Sequence, residues 1–338
     1  MREYLLPRGS FYKANLHSHT TVSDGKMTPA ELKAAYKARG YSIVAFTDHD
    51  VMVDHSELSD SDFLALRGYE LAVNEQPKPF GRRSRTYHLS LIAGTPEVDR
   101  QVFFTPKMDF TGNAGMYAPY VLTTGEQIYS YNYSQIFVNR LIRAASAAGF
   151  LVFYNHPSYS LQTEEDCLSL EGLCGMEIHN GASMSWGFGD DGNTTLYERM
   201  LRAGHTSLLP IAADDSHAAD VNDPANELFT GFVMIAARSL SYTDVTAALR
   251  AGHCYASQGP LIHELSAEGG RVHIACDRVR EIILRTADRG AERRAGSLCE
   301  ADFSIRRDAG YFRFEIVDNE GRRAVTRAYD AKTFGGAL

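Results

Sequence analysis

Two short runs of polar residues are the part of this sequence best suited to bind a metal ion. His17 and His19 flank Ser18, and Asp215 and His217 repeat the same spacing far downstream. Residues two apart in an extended segment face the same side, so each pair can reach one ion. Imidazole and carboxylate groups are ligands that suit zinc, iron or manganese. The two runs therefore predict metal chemistry.

Five further histidines and carboxylates lie between these runs, at or near the ends of predicted strands. Glu70, for example, follows a predicted strand at 64–69. Because the carboxyl ends of parallel strands gather on one face of an α/β fold, we expect these side chains to share one rim. The candidate ligands are His17, His19, Asp24, His49, Glu70, His88, His156, Asp215 and His217. This set exceeds the needs of one tetrahedral site, so we predict two or three ions per chain, of zinc, manganese or iron.

The elements that must position these ligands alternate between helix and strand. Thr28 predicts an N-cap, Pro29 the first helical residue and Glu31 a capping box, and Gly40 ends the helix before a strand at 43–46. Similar pairs recur downstream, with helices predicted at 135–148 and 194–203 and strands at 150–154 and 208–212. The alternation predicts βα units around a mostly parallel sheet or barrel.

Two segments depart from this pattern. Residues 95–133 are aromatic, rich in glycine and too long for an ordinary connection, so they predict an insertion that is either a lid or packing. Their aromatic residues could stack a base or sugar, or cover the barrel mouth. After about residue 257 the pattern changes to short alternating segments, which predict a small β-rich domain at 259–338 beside a metal-binding domain at 1–258. The segments are 271–275, 281–285, 303–306 and 311–317.

Composition narrows the class of protein. The 44% hydrophobic and 22% charged residues are typical of a globular protein, not a disordered or membrane protein. The net charge of −8 argues against an extended nucleic-acid surface. The five cysteines form no CxxC pair, and the start of the chain lacks the apolar run of a signal peptide. We therefore expect a cytoplasmic protein with a small phosphorylated substrate and no membrane partner; the oligomeric state stays open.

The ordered motifs resemble the PHP family, named for polymerase and histidinol phosphatase domains, and in particular its stand-alone phosphoesterases. They include Asn-Leu-His17-Ser-His19, Ser-Asp24-Gly, Thr-Asp-His49-Asp, Asn-His156-Pro and Asp-Asp215-Ser-His217. The resemblance covers roughly residues 12–259 and implies a distorted (β/α)7 barrel with a trinuclear centre at its carboxyl rim.

The resemblance also implies how the ligands divide among the ions. The first ion would use His17, His19, Glu70 and Asp215; Glu70 would bridge to a second ion held by His88 and His156; and Asp24, His49 and His217 would hold the third. A further motif, Glu177-Ile-His179-Asn-Gly, predicts that Glu177 and His179 orient ligands from behind.

The chemistry predicted from these ligands is phosphoester hydrolysis. A metal-bound hydroxide would attack phosphorus, and no protein nucleophile is predicted. Arg82, Arg83 and Arg85 form a loop that could clamp a substrate phosphate, although charge runs are usually solvated, which favours a plain surface loop. Two alternatives stay open: a metal-dependent C–N bond hydrolase of amidohydrolase type, and a non-catalytic metal-binding scaffold.

Overall fold

The computed structural model describes residues 2–76, 84–104, 109–125, 132–218, 220–222 and 226–334, and it shows an α/β fold built on one large mixed sheet. The strands are β1 (Glu3–Tyr4), β2 (Ser10–Asn15), β3 (Ile43–Phe46), β4 (Leu64–Asn74), β5 (Thr86–Ala93), β6 (Phe150–Asn155), β7 (Gly175–Asn180), β8 (Leu209–Ala213), β9 (Phe232–Ala237), β10 (Cys254–Ser257), β11 (Ile262–Glu268), β12 (Arg271–Thr286), β13 (Ala291–Ser304), β14 (Tyr311–Val317), β15 (Arg323–Thr326) and β16 (Tyr329–Asp330). The helices are α1 (Pro29–Ala38), α2 (Ala114–Tyr117), α3 (Gln135–Ala147), α4 (Glu164–Cys167), α5 (Gly181–Ser185), α6 (Asp191–Arg202), α7 (Tyr242–Ala251) and α8 (Ala331–Phe334).

The predicted helix boundaries are confirmed where the capping signals are strong. The Thr28 hydroxyl accepts a hydrogen bond from the Glu31 backbone N–H, and the Glu31 carboxylate accepts one from the Thr28 N–H, which completes the capping box of α1. Gly40 follows the helix at φ +75°, a left-handed conformation that glycine adopts without strain. The helix therefore ends where the sequence predicts, and the buried strand β3 follows directly.

The part of the sheet that carries the candidate ligands runs in the order β9-β2-β3-β4-β5-β6-β7-β8. Its pairs β2–β3, β3–β4, β6–β7 and β7–β8 are parallel, whereas β4–β5, β5–β6 and β2–β9 are antiparallel. Among the described residues no strand ladder joins β8 to β9 or β2, so the predicted (β/α)7 barrel is not confirmed. The loops after β2 and β8 are nevertheless joined by an isolated bridge between Ser18 and Ser216.

The hairpin of β4 and β5 corrects the predicted positions of two candidate ligands. Glu70 and His88 lie inside these long strands and not at strand ends, because β4 continues to Asn74 and pairs antiparallel with β5. Glu70 stands opposite Ser90, and His88 stands opposite Asn155 of β6. Directly opposed residues share a sheet face, so the hairpin still directs both side chains to one side. The strand β2 ends at Asn15, so His17 and His19, which were expected in an extended segment, follow the strand.

The C-terminal residues are rich in β-structure, as predicted, but their strands are longer. The predicted segments 271–275 and 281–285 form one strand, β12, which keeps its pairing with β13 across two register shifts. The strand β10 pairs with β9 on one side and with β15 on the other, so hydrogen bonding is continuous across residue 258. The strand β1 pairs with β11, which ties the N-terminal residues into this C-terminal sheet.

The described parts of the 95–133 segment pack against two ligand-bearing loops. Gln101 donates to the Asp50 carbonyl at 2.7 Å, and Asn113 N–H donates to the Ser23 carbonyl at 2.8 Å. Gly112 lies at φ +56°, where an added Cβ would stand 2.3 Å from the Ser23 oxygen. This close contact fixes the segment beside the loop that carries Asp24; the predicted lid role stays a prediction.

Candidate metal centre

The Glu70 carboxylate lies at the centre of the candidate ligands. Four nitrogen atoms approach its Oε1: His17 Nε2 at 3.3 Å, His88 Nδ1 at 3.2 Å, His156 Nε2 at 3.5 Å and the Asn155 amide at 2.6 Å. Two more approach Oε2, namely Nδ1 of His49 at 3.0 Å and Nε2 of His19 at 3.6 Å. An ionised carboxylate has about four lone-pair positions, so five imidazoles exceed what hydrogen bonding alone accounts for.

The structure brings all nine candidate ligands together in overlapping groups. In three of these groups the ligand atoms lie within 4.8 Å of one another. They are His19 with Asp24, His49 and His217; His17 with Glu70 and His156; and His17 with His19 and Asp215. His88 joins them through its 3.2 Å contact with Glu70. The division resembles the expected three-ion arrangement, with His17 and His19 each shared between two groups.

Three stacked imidazoles form one side of the centre. The ring of His19 stacks on His49, at a centroid distance of 4.2 Å, and on His217, at 4.4 Å. Burial, together with the charges of these two neighbours, lowers the pKa of His19 to about 3. His19 is therefore neutral at physiological pH, the protonation state in which an imidazole binds a metal ion.

The carboxylates of the centre are held in their charged form. Burial alone would raise the pKa of Glu70, but positive charge on His88, His17 and His49 lowers it well below the ordinary value. The same balance lowers the pKa of Asp215, where His17 is the main compensating charge. Buried carboxylates with this pKa offer the negative charge that a cluster of cations requires.

Two unpartnered polar atoms test whether these residues fit metal ions. Among the described residues, the buried atoms Asp24 Oδ1 and His88 Nδ1 make no hydrogen bond of suitable geometry, although His88 Nδ1 lies 3.2 Å from Glu70 Oε1. Asp24 Oδ1 lies 3.4 Å from Nε2 of His217 and 3.9 Å from Nε2 of His49. Ligands at about 2.1 Å from a tetrahedral ion stand about 3.4 Å from each other. The residues therefore fit divalent ions, which would satisfy both orphaned atoms.

Carboxylates behind the ligands hold the ligand loops in shape. Asp48 accepts hydrogen bonds from the backbone N–H groups of Thr20 at 2.7 Å and Ser23 at 3.1 Å, and from both of their hydroxyls. These bonds order the loop before Asp24. Asp214 has the same role on the opposite side, where it accepts from Tyr36 and from three successive backbone N–H groups at 229–231.

Glu177 contacts the ligands directly from behind. Its Oε1 lies 2.8 Å from Nδ1 of His17, while its Oε2 accepts from the His156 backbone N–H and from the Asn180 amide, both at 2.9 Å. A carboxylate that accepts from Nδ1 leaves the Nε2 lone pair of His17 directed at the centre. This geometry is the one expected of a residue that orients a ligand.

His179 is placed differently from the prediction. Its Nδ1 lies 2.6 Å from Asp190 and 2.8 Å from the Gln258 amide, and its Nε2 lies 3.0 Å from the Thr230 hydroxyl. None of these partners is a candidate ligand. His179 therefore links β7 to the residues around β10 and does not orient a ligand by direct contact.

In the described part of the loop that contains Arg85, the contacts favour a surface loop over a phosphate clamp. Arg85 pairs with Glu75 at 2.9 Å and Asp166 at 3.0 Å, and its guanidinium lies over the Tyr133 ring. Its charge is therefore neutralised within the protein, which does not favour a phosphate clamp. Arg82 and Arg83 lie outside the described residues.

Backbone strain marks the centre. His156 and Asp215 have positive φ values of 26° and 53°, a backbone conformation that residues other than glycine rarely adopt. Such residues cost about 1–3 kcal/mol each and concentrate at functional sites, where the surrounding structure maintains them. For Asp215 that support includes a backbone hydrogen bond of 3.0 Å from its N–H to the His17 carbonyl.

Sequence reasoning missed the supporting polar residues. These residues each stand next to a motif residue in the sequence and were not assigned a role of their own: they are Asp48, Asp214, Asn155 and Asn180. A buried acidic residue next to a candidate ligand is the signal that would have identified Asp48 and Asp214. The amide roles of Asn155 and Asn180 depend on cross-strand contacts that sequence spacing does not reveal.

Comparison with known proteins locates the first six candidate ligands in a recognised domain. Residues 15–105 match the PHP domain family. The matched PHP segment contains His17, His19, Asp24, His49, Glu70 and His88, while the other three ligands follow it in the chain. The match therefore covers part of the chain in which the structure clusters residues that could hold metal ions.

Other similarities are weaker. A 5′-3′ exoribonuclease of Haemophilus influenzae is 33% identical over 66 residues, which are 18% of this chain and 24% of that protein. A two-domain protein from Bacteroides vulgatus, described as containing a predicted PHP-like metal-dependent phosphoesterase, aligns over 97% of this chain and 98% of its own at 14% identity and a TM-score of 0.44. An amidohydrolase from Chromobacterium violaceum aligns over 63% of this chain and 93% of its own, at 18% identity and a TM-score of 0.40.

A search of the described helices for a membrane span found none that is both long and apolar enough.

Proposed function

We propose that this protein is a metal-dependent phosphoesterase that hydrolyses a small phosphate ester, such as a nucleotide, a sugar phosphate or the end of an oligonucleotide. The observation that carries the proposal is the Glu70 carboxylate surrounded by five imidazoles at 3.0–3.6 Å. Divalent ions held there would supply positive charge to phosphate oxygens and lower the pKa of a coordinated water.

The protein residues of the proposed site have three tasks. His17, His19, Glu70 and Asp215 would hold one ion; Glu70 would extend to a second through His88 and His156; and Asp24, His49 and His217 would hold a third. Glu177 fixes the ring of His17 through Nδ1, and Asp48 fixes the loop that presents Asp24. His17 and the loop that carries Asp24 are thus oriented before substrate arrives, which lowers the cost of assembling the transition state.

The chain supplies the charge balance that this chemistry needs. Three carboxylates, Asp24, Glu70 and Asp215, face the ligand atoms of the histidines. Two or three divalent ions would leave a net positive centre, which attracts a phosphate dianion even though the whole chain carries a charge of −8. The H. influenzae relative, named as an exoribonuclease, supports including nucleotide ends among the substrates to be tested.

The test combines metal content with hydrolysis. Protein purified without chelator would be analysed for metal and assayed on an aryl phosphate monoester, an aryl phosphodiester and a nucleotide panel, beside His17→Ala and the control His263→Ala. His263 lies at the surface, paired with Asp277, so its loss should change neither metal content nor rate. We expect two or three ions per chain, and metal-dependent phosphate release that His17→Ala abolishes. Full metal loading without hydrolysis of any phosphate ester would refute the proposal.

A further inference from the structure

An exposed aromatic cluster stands directly beside the candidate metal centre. Four of the eight large apolar side chains that are exposed among the described residues lie in the two segments that follow β6 and β7. They are Leu161, Met184, Trp186 and Phe188. Single exposed apolar residues are ordinary, but a cluster at the edge of a site is typical of a binding surface.

Ring contacts connect this cluster to the ligands. The ring of Tyr159 meets His156 edge to face at 5.4 Å, and it lies 5.0 Å from Trp186 and 5.2 Å from Phe188. Trp186 in turn lies 6.1 Å from the ring of His217. The aromatic wall, defined as Tyr159, Trp186 and Phe188, therefore runs from one candidate ligand to another along the rim.

The loops that carry the wall explain its position. Tyr159 follows His156 by three residues, in the loop after β6. Trp186 is the C-cap of α5, which begins directly after β7, and the Asn180 side chain caps that helix by accepting from the Ser183 N–H. Asn180 also donates to Glu177 and to Asp215. The hydrogen bonds that order the metal centre therefore also fix the start of the loop that bears Trp186.

We infer that the aromatic wall stacks the base of a nucleotide whose phosphate occupies the metal centre. The inference rests on the proposed function and names its substrate class. Trp186 is 49% exposed and Phe188 is 36% exposed, so both keep ring surface free for a partner. Every base has a π-face that stacks on an aromatic side chain, which makes such a wall selective for nucleotides over sugar phosphates without a base-specific contact.

The position of the wall fits the short distance between a phosphate and the base of the same nucleotide. A phosphate at His156 and His217 lies one ring contact from Tyr159 and Trp186. A sugar phosphate would occupy the centre but leave the wall without a partner. The substrate is therefore a nucleoside monophosphate or the terminal nucleotide of a chain, since one wall of three rings accommodates one base.

Trp186 is the sole tryptophan of the chain, so its fluorescence reports contact with the wall specifically. Metal-loaded protein would be titrated with adenosine 5′-monophosphate, ribose 5-phosphate and adenosine. We expect quenching by the nucleotide and, at higher concentration, by the nucleoside, and none by the sugar phosphate. Calorimetry on Trp186→Ala should show about 5- to 150-fold weaker nucleotide binding, largely restored in Trp186→Phe. Ile136→Ala, which removes an exposed apolar side chain of α3, is the matched control.

The outcomes separate this inference from the proposed function. If nucleotide and sugar phosphate bound with equal affinity, and Trp186→Ala left both affinities unchanged, base stacking on the aromatic wall would be refuted. Phosphoester hydrolysis would remain as proposed. Quenching by adenosine and its monophosphate without hydrolysis of any phosphate ester would uphold the wall and refute the proposed reaction. The absence of quenching by both base-containing compounds would overturn the wall, whatever the hydrolysis assay shows.

Discussion

Replacing Glu177 with glutamine should weaken metal binding although Glu177 is not itself a candidate ligand. Within the described part of the chain, its Oε2 accepts two hydrogen bonds, from the His156 N–H and the Asn180 amide, whereas its Oε1 meets only Nδ1 of His17. A glutamine has one accepting oxygen. Because two donors are fixed at the Oε2 position, the side-chain amide will place its oxygen there. The new NH₂ group then faces Nδ1 of His17 and donates to it.

The consequence for His17 is a change of tautomer. An Nδ1 that accepts a hydrogen bond leaves the proton on Nε2, and this is the atom that lies 3.3 Å from Glu70 and 3.2 Å from Asp215. A protonated Nε2 cannot bind an ion. The reverse amide orientation would instead leave two buried donors without an acceptor, at about 1–3 kcal/mol each. Loss of such an outer carboxylate typically reduces metal affinity by about 10- to 100-fold, or about 1.4–2.7 kcal/mol.

Chelator competition followed by elemental analysis measures this effect without relying on activity. Nitrogen chemical shifts of the histidines in the apoprotein would report the tautomer of His17 separately. The matched control is Glu57→Gln, because Glu57 is an exposed carboxylate beside a histidine, 3.7 Å from His55. A Glu177→Gln variant whose metal affinity stays within about twofold of the original protein would refute the argument.

Two further predictions concern stability. Gly112→Ala should destabilise the protein by more than about 1 kcal/mol, because the new Cβ would collide with the Ser23 carbonyl and the backbone would keep a left-handed φ. Urea unfolding measures this change, and an unchanged midpoint would contradict the close packing. Glu315→Gln should cost about 1–3 kcal/mol at pH 7, because Glu315 is buried against Arg313 and Arg285, while Arg313 keeps Glu198 as a second partner. Burial alone would raise the pKa of Glu315, but these arginines lower it below the ordinary value, so its stabilisation is present above about pH 4.5 and is lost as pH falls further. Urea unfolding at pH 7 and pH 4 should show the difference between the two proteins narrowing at the lower pH, and a constant difference would contradict the assignment.

The sequence predicted best what depends on local signals. The capping box of α1 and the glycine after it are decided by residues within a few positions of one another, and both are confirmed. The nine candidate ligands were also identifiable, because each belongs to a short motif in a fixed order. The structure brings all of them together.

What the sequence did not reveal depends on contacts between distant residues. Glu70 and His88 appeared to end strands, because nothing nearby shows that β4 and β5 continue as an antiparallel hairpin. The long strand β12 appeared as two segments, because its register shifts interrupt the alternation of side chains. The aromatic wall was missed for the same reason: Tyr159 and Trp186 are 27 positions apart in sequence but 5.0 Å apart in space.

The bridge between Ser18 and Ser216 has a consequence for when the protein can acquire its ions. Ligands such as His17 and Asp215 come from opposite ends of a stretch of about two hundred residues, and backbone hydrogen bonds hold those ends together. A ribosome-bound chain that has been synthesised only as far as residue 105 holds six of the candidate ligands but lacks His156, Asp215 and His217. The full set of candidate ligands can therefore assemble only after residue 217 has been synthesised, and ions bound there would oppose separation of the two ends.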